Sequence, residues 1–432
     1  MNRIWHETRQ AHTDSYYAAT ANIQFEEGPL TGAETADVVV IGAGYTGVST
    51  ALHLAEKGYS VVVLEANRIG WGASGRNGGH VGTGQRKEQA DLEASLGKER
   101  AKILWDFGLE AVATVEERIH KHKIQCDLKQ GILHVANKAS EVEDFRAGVN
   151  TLRNDYGYSQ AEFVDKDQVG EMVGNQRYHA GYLDRGSRHL HPLNYLLGLA
   201  SAARAAGVRF YQDSPVTHYD KGEPAVVHTG QGQVSATYVV FATNGYLSKL
   251  EPRLARKIMP INNFVLATEP LDDATAQSLI RDDVAVQDSL FVINYWKLSG
   301  DNRLIFGGGE NYSSRFPSDI KSFVRKYMLR VYPQLANTRI DYGWGGTLAI
   351  TLNRMPCFGR LEPNVFYGQG YSGHGVPTAT MGGKLLAEAV SGTAERFDVM
   401  ATLPQPTFPG GTLLRWPGLV AGMLYYSLLD KL

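Results

Sequence analysis

Asp37 to Ile41 (DVVVI) is an unbroken strand-length run with aliphatic residues at 38–41, and it ends directly on Gly42-x-Gly44-x-x-Gly47. A strand without polar alternation must be buried on both faces, so this chain has to build a sheet covered by helices. Residues 45–57 follow with helical spacing, and Ser60 to Leu64 (SVVVL) repeats the buried-strand pattern. Strand, helix and strand within about thirty residues make a βαβ unit. The glycine triplet alone is a weak signal, but its placement between a buried strand and a helix gives each glycine a task. Gly42 permits the tight turn, Gly44 lets a pyrophosphate approach backbone N–H groups at the helix start, and Gly47 lets helix and strand pack closely. Glu65, ending the second strand, is placed to accept hydrogen bonds from ribose hydroxyls.

The fingerprint serves nicotinamide and flavin dinucleotides alike, so a second segment has to choose. Three residues beyond Glu65 comes Arg68-x-x-Trp71-Gly72-Ala73-Ser74-Gly75-Arg76-Asn77-Gly78-Gly79. Consecutive small residues let a loop lie against a wide, flat ring system and its long stem, while Ser74, Arg76 and Asn77 offer polar partners. That requirement belongs to FAD. A third glycine cluster, residues 368–375 with Tyr371, Ser372 and His374 between the glycines, closes a strand and opens a helix. A helix N-terminus carries about half a positive charge and would stabilise negative charge on a reduced flavin.

Elsewhere the patterns predict a long amphipathic helix over 92–120 and a hairpin over 124–136 bent at Gly131. Further elements are a helix over 193–206, a buried strand over 238–242 and a hairpin over 291–308. Parallel-type elements lie at both ends of the chain with antiparallel ones between. The predicted fold is α/β (α+β overall): a Rossmann-like FAD-binding domain with an inserted antiparallel-sheet substrate domain. Residues 30–110, 165–257 and 350–400 are assigned to the first, 111–164 and 258–349 to the second. Residues 401–432 form a tail packing on the body.

These segments, in this order, resemble the D-amino-acid oxidase-like superfamily of FAD enzymes. Within it the similarity is greatest to the γ-glutamylputrescine oxidase group, through GASGRNGG (72–79), HLHPLN (189–194), QGYSGHGV (369–376), ERFD (395–398) and FPGG (408–411). The resemblance implies FAD contacts from Gly42, Gly44, Tyr45, Thr46, Gly47, Glu65, Ala66, Arg68, Ala73, Ser74, Arg76, Asn77, Gly78 and Gly79. It adds Val216 at the adenine and Gly373, His374, Gly375 and Val376 at the isoalloxazine. It also implies oxidation of an amine to an imine that water then hydrolyses. Relatives with covalent flavin carry a cysteine where this chain has Gly345-Gly346-Thr347, so non-covalent FAD is expected. Sarcosine oxidases carry a lysine near the flavin where Leu304-Ile305-Phe306 is apolar here. Both oxygen and a respiratory carrier therefore stand as acceptors, the latter making the chain a dehydrogenase subunit.

On the substrate side the closest group differs from this chain at His80 to Arg86 (HVGTGQR), which brings in L-pipecolate as an alternative to a γ-glutamyl amine. The candidate catalytic residues are His374, Tyr295, Lys297 and Trp344, with Trp296 and Tyr342 as further pocket walls and Arg315 as a second cation for a substrate carboxylate. Most aromatic stripes are core, and a solvated face is the ordinary place for Lys297 and Arg315. Formal net charge is -2, from 43 basic and 45 acidic residues without long runs of one sign, which argues against nucleic acid. Cys126 and Cys357 have no metal or disulfide spacing, so no metal is expected and the compartment reads as reducing. A basic leader and an apolar stretch of about 18 residues are both missing. A cytoplasmic protein is expected, with residues 417–429 as a packed helix or weak peripheral membrane contact.

Overall fold

A computed structural model describes residues 11–311, 315–415 and 417. Among these, two large sheets organise the chain, one of eight strands and one of nine. In the first, the order is Cys357–Glu362, Val365–Gln369, Gly232–Phe241, Gly32–Ile41, Val61–Leu64, Arg209–Tyr211. Every neighbouring pair on this path is parallel except the outermost, Cys357–Glu362 with Val365–Gln369. Val38 to Ile41 and Val61 to Leu64 are all buried, as their unbroken apolar runs demand. One face is covered by the helices Tyr45–Ala55, Pro192–Ala205 and Gly375–Val390, and the aliphatic residues pointing that way, Val38, Val40, Val61 and Val63, join one core with them. Val39, Ile41, Val62 and Leu64 point the other way into a separate core, where the hairpin Val216–Asp220 and Ala225–Thr229 supplies Val227 and Ala225.

The second sheet runs Ile340–Ile350, Met259–Thr268, Leu304–Asn311, Tyr295–Leu298, Ala285–Asp288, Lys129–Val135, Gly181–His189, His80–Val81. It is antiparallel apart from one parallel pair, Ala285–Asp288 with Lys129–Val135. The predicted hairpin over 291–308 is present, with Tyr295 opposite Gly307 and Lys297 opposite Ile305. Side chains alternate on this strand. Trp296 and Leu298 enter a core with Phe264, Phe306 and Tyr332, whereas Tyr295 and Lys297 face the first sheet.

Three expectations are corrected. Residues 124–136 hold no hairpin: Gly131, at φ +96°, makes a bulge where the pairing with Gly181–His189 shifts register, and the strand runs straight on. The helix expected over 92–120 is two helices, Gln89–Leu96 and Lys98–His122, separated by Gly97 at φ +84°. Gly181–His189 and His80–Val81, inside spans assigned to the parallel part, pair instead in the second sheet. An apolar strand and an alternating strand differ in their burial, but neither pattern says which sheet an edge pairing will choose. Of the tail, Phe408 packs on Met259, Ile261 and Ile350, and Arg415 donates to the carbonyls of Ala255 and Ile258. Most of the apolar stretch 417–429 lies outside the described residues. Among the described residues, no helix is long and apolar enough to cross a membrane.

Trp296 is fully buried, stacks on Phe306 at 5.6 Å and donates its indole N–H to Tyr332 Oη at 3.0 Å. Trp296→Ala should therefore lower unfolding free energy by about 3–5 kcal/mol, read from denaturant midpoints. A loss below about 1 kcal/mol would show that this core does not hold the second sheet.

Candidate active site

The carboxyl ends of the parallel strands open into a cleft. It is lined by Gly42, Ala43, Gly44, Glu65, Ala66, Trp71, Gly72, Ala73, Ser74, Val216 and the turn at Thr243-Asn244. The glycines are fixed by contact with backbone. A Cβ on Gly47 would stand 1.9 Å from Gly42 O, and one on Gly42, at φ +106°, 2.8 Å from Ala242 O. Helix Tyr45–Ala55 starts at Gly44, and the hydroxyl oxygen of Ser74 accepts from Tyr45 N–H at 3.1 Å. Glu65 accepts from the N–H groups of Ala43 and Asn67 at 2.8 and 2.9 Å, one on each carboxylate oxygen. Burial pushes its pKa up, against the backbone donors that pull it down.

Several residues expected to touch the cofactor have partners within the protein. Arg76 donates from Nε to Trp71 O at 2.6 Å and from Nη1 to Gly345 O at 3.1 Å, with its guanidinium over the Trp71 ring. Asn77 donates to Ala73 O and Ser74 O and accepts from Gly79 N–H, which fixes the shape of the loop. Arg68 pairs with Asp213 at 2.7 Å. Thr46 Oγ1 lies 2.5 Å from Tyr371 Oη, and Tyr45 Oη donates to Pro192 O.

At its far end the loop meets the second sheet. A Cβ on Gly79 would lie 2.0 Å from Leu190 O and 3.1 Å from Lys297 Nζ, and Tyr295 lies against Gly78. Tyr295 Oη donates to Asn263 Oδ1 at 2.5 Å. The helix Gly375–Val390 opens here behind Gly373 and His374 with no side-chain cap. His374 Nε2 is buried and has no hydrogen-bond partner. The His80–Arg86 segment runs beside it: a Cβ on Gly82 would touch His374 Cε1 at 3.0 Å. Buried Asp184 holds Thr83 Oγ1 at 2.6 Å. His80 lies edge-on to Tyr295 at 5.7 Å, and His134 Nδ1 lies 2.8 Å from Gln287 Nε2. Burial lowers the pKa of all three histidines, His80 and His374 to about 4 and His134 to about 3, so they are neutral at pH 7.

Lys297 is not on a solvated face. It is 2% exposed, donates to Leu190 O, and burial lowers its pKa to about 8. The strand Leu304–Asn311 has no lysine in its apolar stretch, but its partner strand brings this one in. Trp344 and Trp296 are core residues rather than walls. Trp344 donates to Arg76 O at 2.9 Å and meets Tyr17 edge-on. Tyr342 stands by Tyr16 and Arg303, and Arg315 is exposed. Ser214, Tyr246 and Leu250 line the cleft, and His134 and Gln287 pair across their strands, without a sequence motif to mark them, because turns and strand pairing bring them there.

A family model described as FAD dependent oxidoreductase matches residues 37–389. The chain belongs to this family. It is 44% identical over 422 residues to γ-glutamylputrescine oxidoreductase of Escherichia coli K12, covering 98% of this chain and 99% of that protein. A probable oxidoreductase OrdL of Haemophilus influenzae is 40% identical over 427 residues, 98% of each chain. The crystal structure of glycine oxidase from Geobacillus kaustophilus superposes with a TM-score of 0.70 at 20% identity, over 83% of this chain and 95% of that one. The architecture is thus the two-part α/β fold of FAD-dependent oxidoreductases, and the chain is an FAD-dependent enzyme of amine or amino-acid C–N oxidation. The site fits FAD on its own geometry. It offers two helix N-termini without side-chain caps of their own, a buried carboxylate with lone pairs to spare and a lining that includes Gly42, Gly44 and Gly72.

Lys297 supplies a pH test. Its folded pKa lies below the unfolded value near 10.5, so between about 8 and 10.5 the unfolded chain binds the extra proton. Stability from this group is lowest below pH 8 and recovers as pH rises. The unfolding free energy of wild type relative to Lys297→Met should therefore rise by about 3 kcal/mol from pH 8 to 10.5. A flat difference would place Lys297 in contact with water.

Proposed function

We propose that the chain oxidises the terminal amine of γ-glutamylputrescine or a closely related γ-glutamyl amine, using non-covalently bound FAD. The observation that carries this reading is the 44% identity to γ-glutamylputrescine oxidoreductase over nearly the whole of both chains. FAD, when bound, takes up the two electrons lost by the C–N bond. In the proposed arrangement Glu65 holds the adenosine ribose, with Val216 against the adenine. The starts of helices Tyr45–Ala55 and Gly375–Val390 hold the pyrophosphate and the pyrimidine edge. Ala73, Ser74, Gly78 and Gly79 line the stem and ring, and Arg68, Arg76 and Asn77 hold the loop in shape.

An amine must be neutral to give up electrons. A pocket walled by Tyr295 and by neutral His80, His134 and His374 disfavours the ammonium form. Arg86, whose charge acts on both His134 and His374, would hold the carboxylate of the glutamyl group. Lys297 is enclosed beside Gly79, where a cation favours negative charge on reduced oxygen. That supports dioxygen as acceptor over an obligatory membrane carrier. Cys126 and Cys357 are both buried and neither lines the cofactor cleft, in keeping with flavin held without a covalent bond.

Anaerobic addition of γ-glutamylputrescine to the yellow holoenzyme should bleach the flavin band, and admitting air should restore it with formation of peroxide. Bleaching by L-pipecolate alone would transfer the assignment to cyclic amino acids, the reading favoured by the divergent 80–86 segment. Acid precipitation should leave the flavin in the supernatant, whereas a yellow pellet would demonstrate a covalent link.

A further inference from the structure

Away from the cofactor cleft, the hairpin of strands Val216–Asp220 and Ala225–Thr229 stands on the antiparallel edge of the first sheet. Among the described residues it carries one cluster of three metal-ligating side chains, His218, Asp220 and His228. We propose that this cluster is a binding site for a divalent transition ion of the zinc class, acting as a staple across the hairpin.

The arrangement follows from strand register. His218 and His228 are direct partners across the ladder, so their side chains leave the same face, and their rings lie 4.2 Å apart and parallel to within 2°. Asp220 is two residues from His218 and therefore on that face too. Its Oδ2 is 2.9 Å from His228 Nε2. One ligand atom from each of the three side chains lies within 4.8 Å of the other two. A tetrahedral ion with bonds of about 2.0–2.1 Å wants its ligands about 3.4 Å apart. The adjustment is within reach of rotations of side chains at an exposed edge, with no movement of the backbone.

The hydrogen bond behind the cluster sets the tautomer. Thr217 Oγ1 donates to His228 O at 3.3 Å and lies 3.0 Å from His218 Nδ1. With its proton committed to the carbonyl, the hydroxyl accepts from Nδ1–H, and the lone pair of His218 is left on Nε2. That is the outer-shell contact by which metal-binding histidines are oriented. Two imidazoles and one carboxylate select zinc, nickel or copper(II) over magnesium or calcium, which prefer all-oxygen shells. Three protein ligands at an exposed position leave a fourth place for water, so the ion would exchange readily. The ordinary alternative is a lone surface His–Asp contact, which contributes little. It gives no reason for the second imidazole stacked over the first or for the threonine that orients it.

Position in the fold gives the site a use. Val216, at the start of the same strand, lines the cofactor cleft, and Ala225–Thr229 pairs with Gly232–Phe241, which leads into Thr243 on the cleft floor. An ion at the hairpin would fix the edge that borders the cleft without touching it.

Untagged, chelator-treated holoenzyme titrated with zinc chloride in a calorimeter tests the assignment. One equivalent should bind, and His218→Ala and His228→Ala should each weaken it at least tenfold, with the flavin spectrum unchanged. The double variant should lose that equivalent altogether. Absence of saturable binding to the wild type, or equal binding by the double variant, would overturn the proposal. The flavin band reports that each variant is folded.

Discussion

Backbone lies on backbone throughout the centre of this protein. The positions where a Cβ would stand about 2 Å from a carbonyl oxygen include Gly47 on Gly42, Gly75 on Gly70 and Gly79 on Leu190. No other residue type allows such approaches. They draw the first turn onto its helix, fold the loop at 70–79 on itself and seat its end on the second sheet. These contacts position Ser74 over the start of helix Tyr45–Ala55 and set Gly79 beside Lys297.

The same constraint explains why polar residues of the loop serve the loop. Arg76 spans from Trp71 O to Gly345 O, and Trp344 answers by donating to Arg76 O. A buried guanidinium costs a great deal of solvation, and burial lowers its pKa accordingly. Carbonyl groups of the loop and of the second sheet offset that cost, and in doing so they tie the loop to that sheet. His80, His134 and His374 show the opposite solution to burial: they give up their charge.

Much of this was legible in the sequence, and the rest was not for identifiable reasons. DVVVI with its glycines, Glu65 and the loop at 72–79 announced the parallel sheet and the dinucleotide cleft, because each needs a residue type that nothing replaces. The hairpin over 291–308 was legible from its pattern. The destinations of aromatic residues were not. Trp296 and Tyr295 are adjacent and of similar character, and only strand alternation sends one to the core and the other to Gly78. Gly131 looked like a bend because a positive φ suits a bulge as well as a turn. His134, Gln287 and the cluster of His218, Asp220 and His228 are assembled by register between strands, which no local spacing records.

His80 follows Gly79 with no intervening residue, so the cofactor loop passes directly into an edge strand of the second sheet, opposite His189. Leu190 N–H donates to Gly79 O at 2.9 Å, and Arg76 ties the same loop to Gly345 on the opposite edge of that sheet. The two layers are therefore stitched at both borders by one short stretch that has no slack. Movement of the loop away from that sheet would break both bonds, so the cofactor loop and the second sheet are coupled at two borders.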